Sequence, residues 1–114
     1  MSQLPYIQVT TTTATEADAR RIAASLVEQR LAACVQIEGP LESVYRWQGQ
    51  VEQAREWRCT IKTRGSLFAA VTEAIRCLHP YDCPEILATP IVACNEAYQA
   101  WLEEQLSCQS HRKS

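Results

Sequence analysis

The sequence predicts an α+β fold, a ferredoxin-like βαββαβ sandwich with a long hairpin between its second and third strands and an extra C-terminal helix. Three observations predict it. The hydrophobic period switches from two to 3.6 and back along the chain, twice over. Two long alternating runs meet at a single tight turn. The 114 residues make one domain and no more, so all elements must share one core. That domain is expected to span 1–114, with an ordered core from about 5 to 107 and a polar tail over 108–114.

The elements follow in order. Tyr6 to Thr13 is β-branched and alternates, with Ile7, Val9, Thr11 and Thr13 on one face of a strand. Thr13 and Thr15 compete as helix N-cap, with Glu16 or Asp18 three residues on, as in a capping box. Ala19, Ile22, Ala23, Leu26, Val27 and Leu31 then recur at helical spacing, while Arg20, Arg21, Glu28 and Gln29 take the wet face. From Ala33 to Gln48 the period returns to two, with a bulge or kink expected at Gly39-Pro40. Gly49 turns the chain, and a second arm runs back through Trp57, Cys59 and Ile61.

A second helix opens at Gly65-Ser66, carries Phe68, Val71, Ile75 and Leu78, and stops before His79-Pro80, because a residue preceding proline avoids the α region. Residues 79–84 form a rigid loop, and Glu85 to Ala93 is an apolar fourth strand with Pro90 marking an edge or a bulge. Asn95 caps a last helix through Tyr98, Trp101 and Leu102.

The hairpin has a consequence for assembly. Arms of about 15 residues reach ~45–50 Å at ~3.3 Å per residue. A compact monomer of this length is only about 30 Å across. The far half must overhang its own core, carrying Val44, Tyr45, Trp47 and Val51, which are poor residues to leave in water. Another subunit is the simplest cover, so an oligomer is expected.

Composition narrows the function classes. Eleven Lys and Arg against thirteen Asp and Glu leave a formal charge of −2. The signs are mixed along the chain, which argues against a general polyanion-binding surface and a nucleic-acid partner. No apolar stretch approaches the ~20 residues of a membrane span, so no membrane partner is expected. Met1 to Tyr6 lacks the basic and apolar regions of a signal peptide, and a cytoplasmic location is expected. The six cysteines, at 34, 59, 77, 83, 94 and 108, include no C-x-x-C and read as reduced thiols.

The third strand, Glu56-Trp57-Arg58-Cys59-Thr60-Ile61-Lys62, lacks the glycine and aromatic spacing of an RNA-recognition module. Residues 10–15 contain no glycine to cradle a phosphate. A Cys–His nucleophile pair would have to use His79, since His111 lies in the tail. No catalytic residue is assigned, and an enzyme is not expected.

Cys77-x-His79-x-x-x-Cys83 places two thiolates and an imidazole in one segment, a set suited to Cu(I) or Zn(II). The plainer alternative has Cys77 ending a helix, His79 capping it and Cys83 packing inward. Cys34 and Cys59, on adjacent strands, read as a buried thiol pair. Lys62, Glu85 and Glu56 stand beside apolar strands, so a Lys62–Glu85 or Lys62–Glu56 contact in a cleft is one reading and solvated strand ends the other. Trp47, Trp57 and Trp101 read as core or interface residues first and as pocket lining second.

Several of these segments together resemble the divalent-cation tolerance (CutA) family over residues 6 to about 106. The resemblance rests on Arg30-Leu31-Ala32-Ala33-Cys34, Tyr45-Arg46-Trp47-Gln48-Gly49, Ile61-Lys62-Thr63, His79-Pro80-Tyr81 with Pro84-Glu85-Ile86, and Tyr98-x-x-Trp101-Leu102. It implies a cytosolic homotrimer of ferredoxin-like protomers with Tyr45, Trp47 and Trp101 at the interface. It also implies a non-catalytic role in divalent metal (copper) tolerance or response, with copper or another divalent cation as ligand and no required cofactor.

The metal donors expected are Cys34, His79 and Cys83. The family is structurally similar to the PII signalling proteins. The alternative is therefore a sensor trimer holding a small effector in an inter-subunit cleft near Trp47, Lys62, Tyr81 and Glu85, and a further one is a structural trimer acting through protein partners. One departure is noted: where some members carry a cysteine proposed as a copper ligand, this chain has Thr11.

Overall fold

The computed structural model describes residues 5–107, and the tail expected over 108–114 lies outside them. The elements are β1 (Tyr6–Thr13), α1 (Glu16–Glu28), β2 (Cys34–Trp47), β3 (Gln50–Arg64), α2 (Phe68–Leu78), β4 (Leu87–Pro90) and α3 (Glu96–Gln105), with a 3₁₀ turn over Gly65–Leu67 ahead of α2. The four strands form one antiparallel sheet in the order β2-β3-β1-β4, as the split βαβ order requires.

Local chemistry sets the boundaries. Thr15 is the N-cap of α1: its side chain accepts from the Asp18 N–H at 3.1 Å, while the Thr13 hydroxyl donates to the Thr15 carbonyl at 2.7 Å. The helix ends at Glu28, short of Leu31, because Arg30 takes a left-handed conformation (φ 61°). The Arg30 guanidinium donates to the Glu104 carbonyl at 2.6 Å, and its own carbonyl accepts from the Ser107 N–H at 2.8 Å. The α3 end of the chain thus holds Arg30 in a conformation that L residues disfavour. In α3, Asn95 caps by accepting from the Tyr98 N–H.

The hairpin arms are 14 and 15 residues long and close through Gln48 and Gly49, both at positive φ (50° and 81°), the signs that a two-residue hairpin turn prefers. The expected irregularity falls between Glu38 and Leu41. Gly39 is required there, since a Cβ would stand 2.6 Å from the Trp57 indole. The fourth strand is shorter than the 85–93 expected. Only Leu87–Pro90 finds β1 opposite, and Ile86 and Ile91 owe their apolar character to packing on the core.

The two faces of the sheet differ. Val9, Thr11, Cys59 and Ile61 are fully buried together with Ile22 and Leu26 of α1 and Val71 and Ile75 of α2. Burying each large aliphatic side chain contributes roughly 1.5–3 kcal/mol. On the other face, α3 covers one end: Tyr6 donates to the Glu103 carboxylate at 2.6 Å, and Leu102 lies near Gln8 and Lys62. The rest of that face is open.

The hairpin extends the molecule to 43 × 31 × 23 Å, with a radius of gyration of 15.0 Å. A compact chain of this length has roughly 13 Å. Val44 and Val51 remain 64% and 63% exposed, and Tyr45 and Trp47 are also exposed.

Candidate functional site

The open face carries a cavity of about 580 Å³ where the hairpin leaves the core. Its walls include Thr12 of β1, Ser43, Tyr45 and Trp47 of β2, Glu56 of β3, and Tyr81, Asp82, Cys83 and Glu85 of the loop after α2. Three segments converge on Glu56, a carboxylate only 6% exposed. Ser43 donates to its Oε1 at 2.6 Å, and Tyr81 donates to its Oε2 at 2.7 Å. Burial first, and then the Glu56 bond, raise the Tyr81 phenol far above its ordinary value, so it stays a neutral donor.

His79 anchors the loop. Its backbone leaves the helical region (ψ 131°), as the residue before Pro80 should, and its N–H closes α2 onto Ile75. The side chain is buried. Its Nδ1 accepts from the Tyr81 N–H at 3.2 Å, which assigns the proton to Nε2, and Nε2 lies 2.7 Å from the Thr12 carbonyl. The His79 and Tyr81 rings meet in a tilted contact, centroids 4.8 Å apart. His79 thus caps α2 as the sequence led one to expect, but its side chain is not solvated: it is a buried brace between loop and sheet.

The metal set anticipated from sequence is dispersed within the chain. Cys34 pairs with Lys62, which pairs with Gln8. His79 binds Thr12, four residues along the strand from Gln8 and so roughly 13 Å away. Cys34 neighbours Tyr98 of α3, whose phenol is raised by burial and then by Cys34. Cys83 is exposed at the cavity wall, and Cys77 is exposed on α2 with its thiol 3.7 Å from Glu73. Among the described residues no three His, Cys, Asp or Glu side chains converge as a metal site would require. Thr11 faces α1 in the core, on the opposite side of the sheet from Cys34.

Two further expectations are corrected. Cys34 and Cys59 are no pair: Cys59 is opposite Ile37, faces α1 and donates to the Ala19 carbonyl at 3.5 Å. Lys62 reaches neither Glu85 nor Glu56. It donates to Gln36 at 2.6 Å, at the α3 end of the open face beside a second cavity of about 220 Å³. Trp47, Tyr81 and Glu85 do come together in the main cavity, and Glu85 accepts from the Thr10 hydroxyl at 3.3 Å. Glu56 is the residue that sequence reading undervalued. Its signal was there, a carboxylate directly before Trp57, where the arm enters the core.

Trp101 is exposed on α3 and contacts Tyr98, ring to ring at 5.4 Å. Tyr45 and Trp47 are exposed on the hairpin, away from α3.

These features define a class: a ferredoxin-like sandwich with an overhanging apolar hairpin and a cavity at its root. Comparison with known proteins then narrows it. The model of the family described as "CutA1 divalent ion tolerance protein" matches residues 7–105, and the chain belongs to that family. It is 47% identical over 93 residues to the divalent-cation tolerance protein CutA of Thermus thermophilus, covering 82% of this chain and 90% of that one. The solved Thermus thermophilus Cut A1 superposes with a TM-score of 0.87 at 44% identity, covering 90% and 99% of the two chains.

CutA1 from Oryza sativa superposes at 0.88 with 40% identity, covering 92% and 96%. The full-length rice protein, described as chloroplastic, is 42% identical over 100 residues, 88% of this chain, and the chain spans 56% of its length. A structure of CutA from Archaeoglobus fulgidus, described as periplasmic, is 34% identical with a TM-score of 0.86, covering 90% and 99%. No helix among the described residues is long and apolar enough to cross a membrane.

Proposed function

We propose that the protein is a non-catalytic homotrimer acting in divalent metal (copper) tolerance or response. The overhanging hairpin is the observation that carries this reading. It leaves Val44, Tyr45, Trp47 and Val51 in water, while a different apolar set, with Leu87, Tyr98 and Trp101, is exposed on β4 and α3. Two unlike patches on one chain are what a closed head-to-tail ring uses.

Five described cysteines are free, which supports a reducing compartment such as the cytoplasm. Copper or another divalent cation is then a ligand of the assembly and not a resident cofactor. Because Cys34, His79 and Cys83 do not meet in one protomer, a metal site of this chain draws donors from more than one subunit.

Native mass spectrometry of the reduced protein, alone and with limiting Cu(I), Cu(II) or Zn(II), tests both parts. A trimer is expected, with metal uptake that is lost when the trimer is diluted apart. Monomers at micromolar concentration would refute the assembly, and a trimer that takes up no metal would leave the structural-scaffold alternative. Trp47→Ala should raise the trimer's dissociation constant about tenfold or more, and an unaffected trimer would sink the hairpin argument.

The cavity favours a second reading, a PII-like sensor trimer that holds a small effector at the hairpin root. Its volume lies within the range of ligand sites, about 300–1,000 Å³.

A further inference from the structure

We propose that the cavity at the hairpin root takes a small organic cation, an amidinium, guanidinium or ammonium group on an apolar body, with Glu56 as its counter-charge. The inference rests on the second reading above, that the cavity is a ligand cleft, and names its ligand class.

Charge is the first argument. Glu56, Asp82 and Glu85 line the cavity, and no Lys, Arg or His does. Phosphate and carboxylate effectors are repelled by such a wall. The open-face cations nearest in the sheet are already engaged elsewhere: Arg58 pairs with Glu38 at 3.1 Å, and Lys62 donates to Gln36.

Glu56 supplies the second argument. Its side chain is held by two neutral hydroxyls, from Ser43 and Tyr81, and no ion pair reaches it among the described residues. A carboxylate has about four acceptor positions, so each oxygen keeps capacity after accepting one bond. A buried carboxylate without a cation is costly, and the protomer supplies none. The braces fix its orientation: Tyr81 is held by His79, and His79 by Thr12. Glu56 is presented ready-made.

The third argument separates an organic cation from a metal ion. A metal needs several donors within bonding distance of one point, and the carboxylates and Cys83 around the cavity do not converge in that way. The Tyr81 phenol, raised by burial and by Glu56, does not ionise to join them. Aromatic rings of Tyr45, Trp47 and Tyr81 line the same space, and their faces attract a weakly hydrated organic cation.

Benzamidine, benzamide and benzoate share one shape and differ in charge, which makes them the probes. Calorimetric titration of the intact oligomer in EDTA should show benzamidine bound about tenfold or more tighter than benzamide, the worth of a charge-assisted pair, with no heat from benzoate. Glu56→Gln should remove most of that preference. Asp82→Asn with Glu85→Gln, both in an exposed loop, should reduce it severalfold without threatening the fold.

Equal binding of benzamidine and benzamide would overturn the cation assignment and leave the cleft reading standing. No binding by any of the three would overturn both. Benzamidine binding that needs metal ions, or that appears only in a Trp47→Ala protein freed from its neighbours, would also overturn the proposal. The occupant would then be a metal site or the partner chain. An unchanged preference in both sets of variants would do the same.

Discussion

Thr11 offers a sharp test of the packing. It stands on the helix-facing side of β1 opposite Cys59, fully buried, and its hydroxyl is without a hydrogen-bond partner among the described residues. Taking a hydroxyl out of water with nothing to replace the lost bond costs about 1–3 kcal/mol. Valine has the same branched shape, so Thr11→Val removes that cost and places a methyl group in an apolar layer with Val9, Ile61 and Ile22.

The variant should be about 1–2 kcal/mol more stable. In a thermal scan of a chain this size that is an increase of about 4–8 °C. Urea unfolding at one fixed chain concentration is the assay. The slope against urea should not change, which would place the gain in the folded state. Thr11→Ala is the control: it removes the same hydroxyl but leaves a gap, so it should gain less or lose stability. A Thr11→Val protein less stable than the parent would show that the hydroxyl has a partner and that this account of the core is wrong.

Three further expectations follow from single contacts. Tyr81→Phe leaves Glu56 Oε2 a donor short in a buried setting and should cost about 1–3 kcal/mol in urea unfolding; an unmoved midpoint would mean that bond contributes nothing. Gly39→Ala drives a Cβ to 2.6 Å from the Trp57 indole, so it should destabilise by about 1–3 kcal/mol and shift tryptophan emission, and an unchanged spectrum and midpoint would contradict the close approach.

Glu103 sets an acid limit. Its burial would raise the carboxyl, but hydrogen bonds from Tyr6 and Arg64 and the Arg64 charge outweigh this, and its pKa falls below the ordinary 4.5. The group therefore adds stability that is fully present above the ordinary value and is lost as the pH drops through the lowered one. Glu103→Gln should lose less stability than the parent between pH 5 and 2 (about the window of that titration), and parallel pH curves would refute the assignment.

How far sequence reading reached depended on how local the determining physics is. The Thr15 cap, the Asn95 cap and the stop at His79-Pro80 are one-turn effects, and all lie where side-chain chemistry puts them. The length of the hairpin was legible because alternation persists across Gly49, and its overhang follows from length alone. The fourth strand was overread because apolar residues there serve packing as well as pairing, and a strand is only as long as the partner beside it.

The cavity was half legible. Trp47, Tyr81 and Glu85 line it, since the loop and the hairpin root meet on one face. Lys62 does not, because it stands six residues along β3 from Glu56, at the α3 end of that face.

By itself the sequence determined the element order, the sheet they build and the exposed hairpin, since periodicity, caps and turn residues act over a few neighbours, while its motifs taken together carried the resemblance to the family. Only the tertiary structure decided what faces what. It placed Cys34 and His79 at separate points of the sheet, turned Thr11 and Cys59 toward α1, and gave Arg30 its left-handed bend through contacts with the chain at α3. It also buried Glu56 under Ser43 and Tyr81. Such placements depend on register between strands far apart in the chain, where a shift of one residue reverses every side chain, and no local pattern records them.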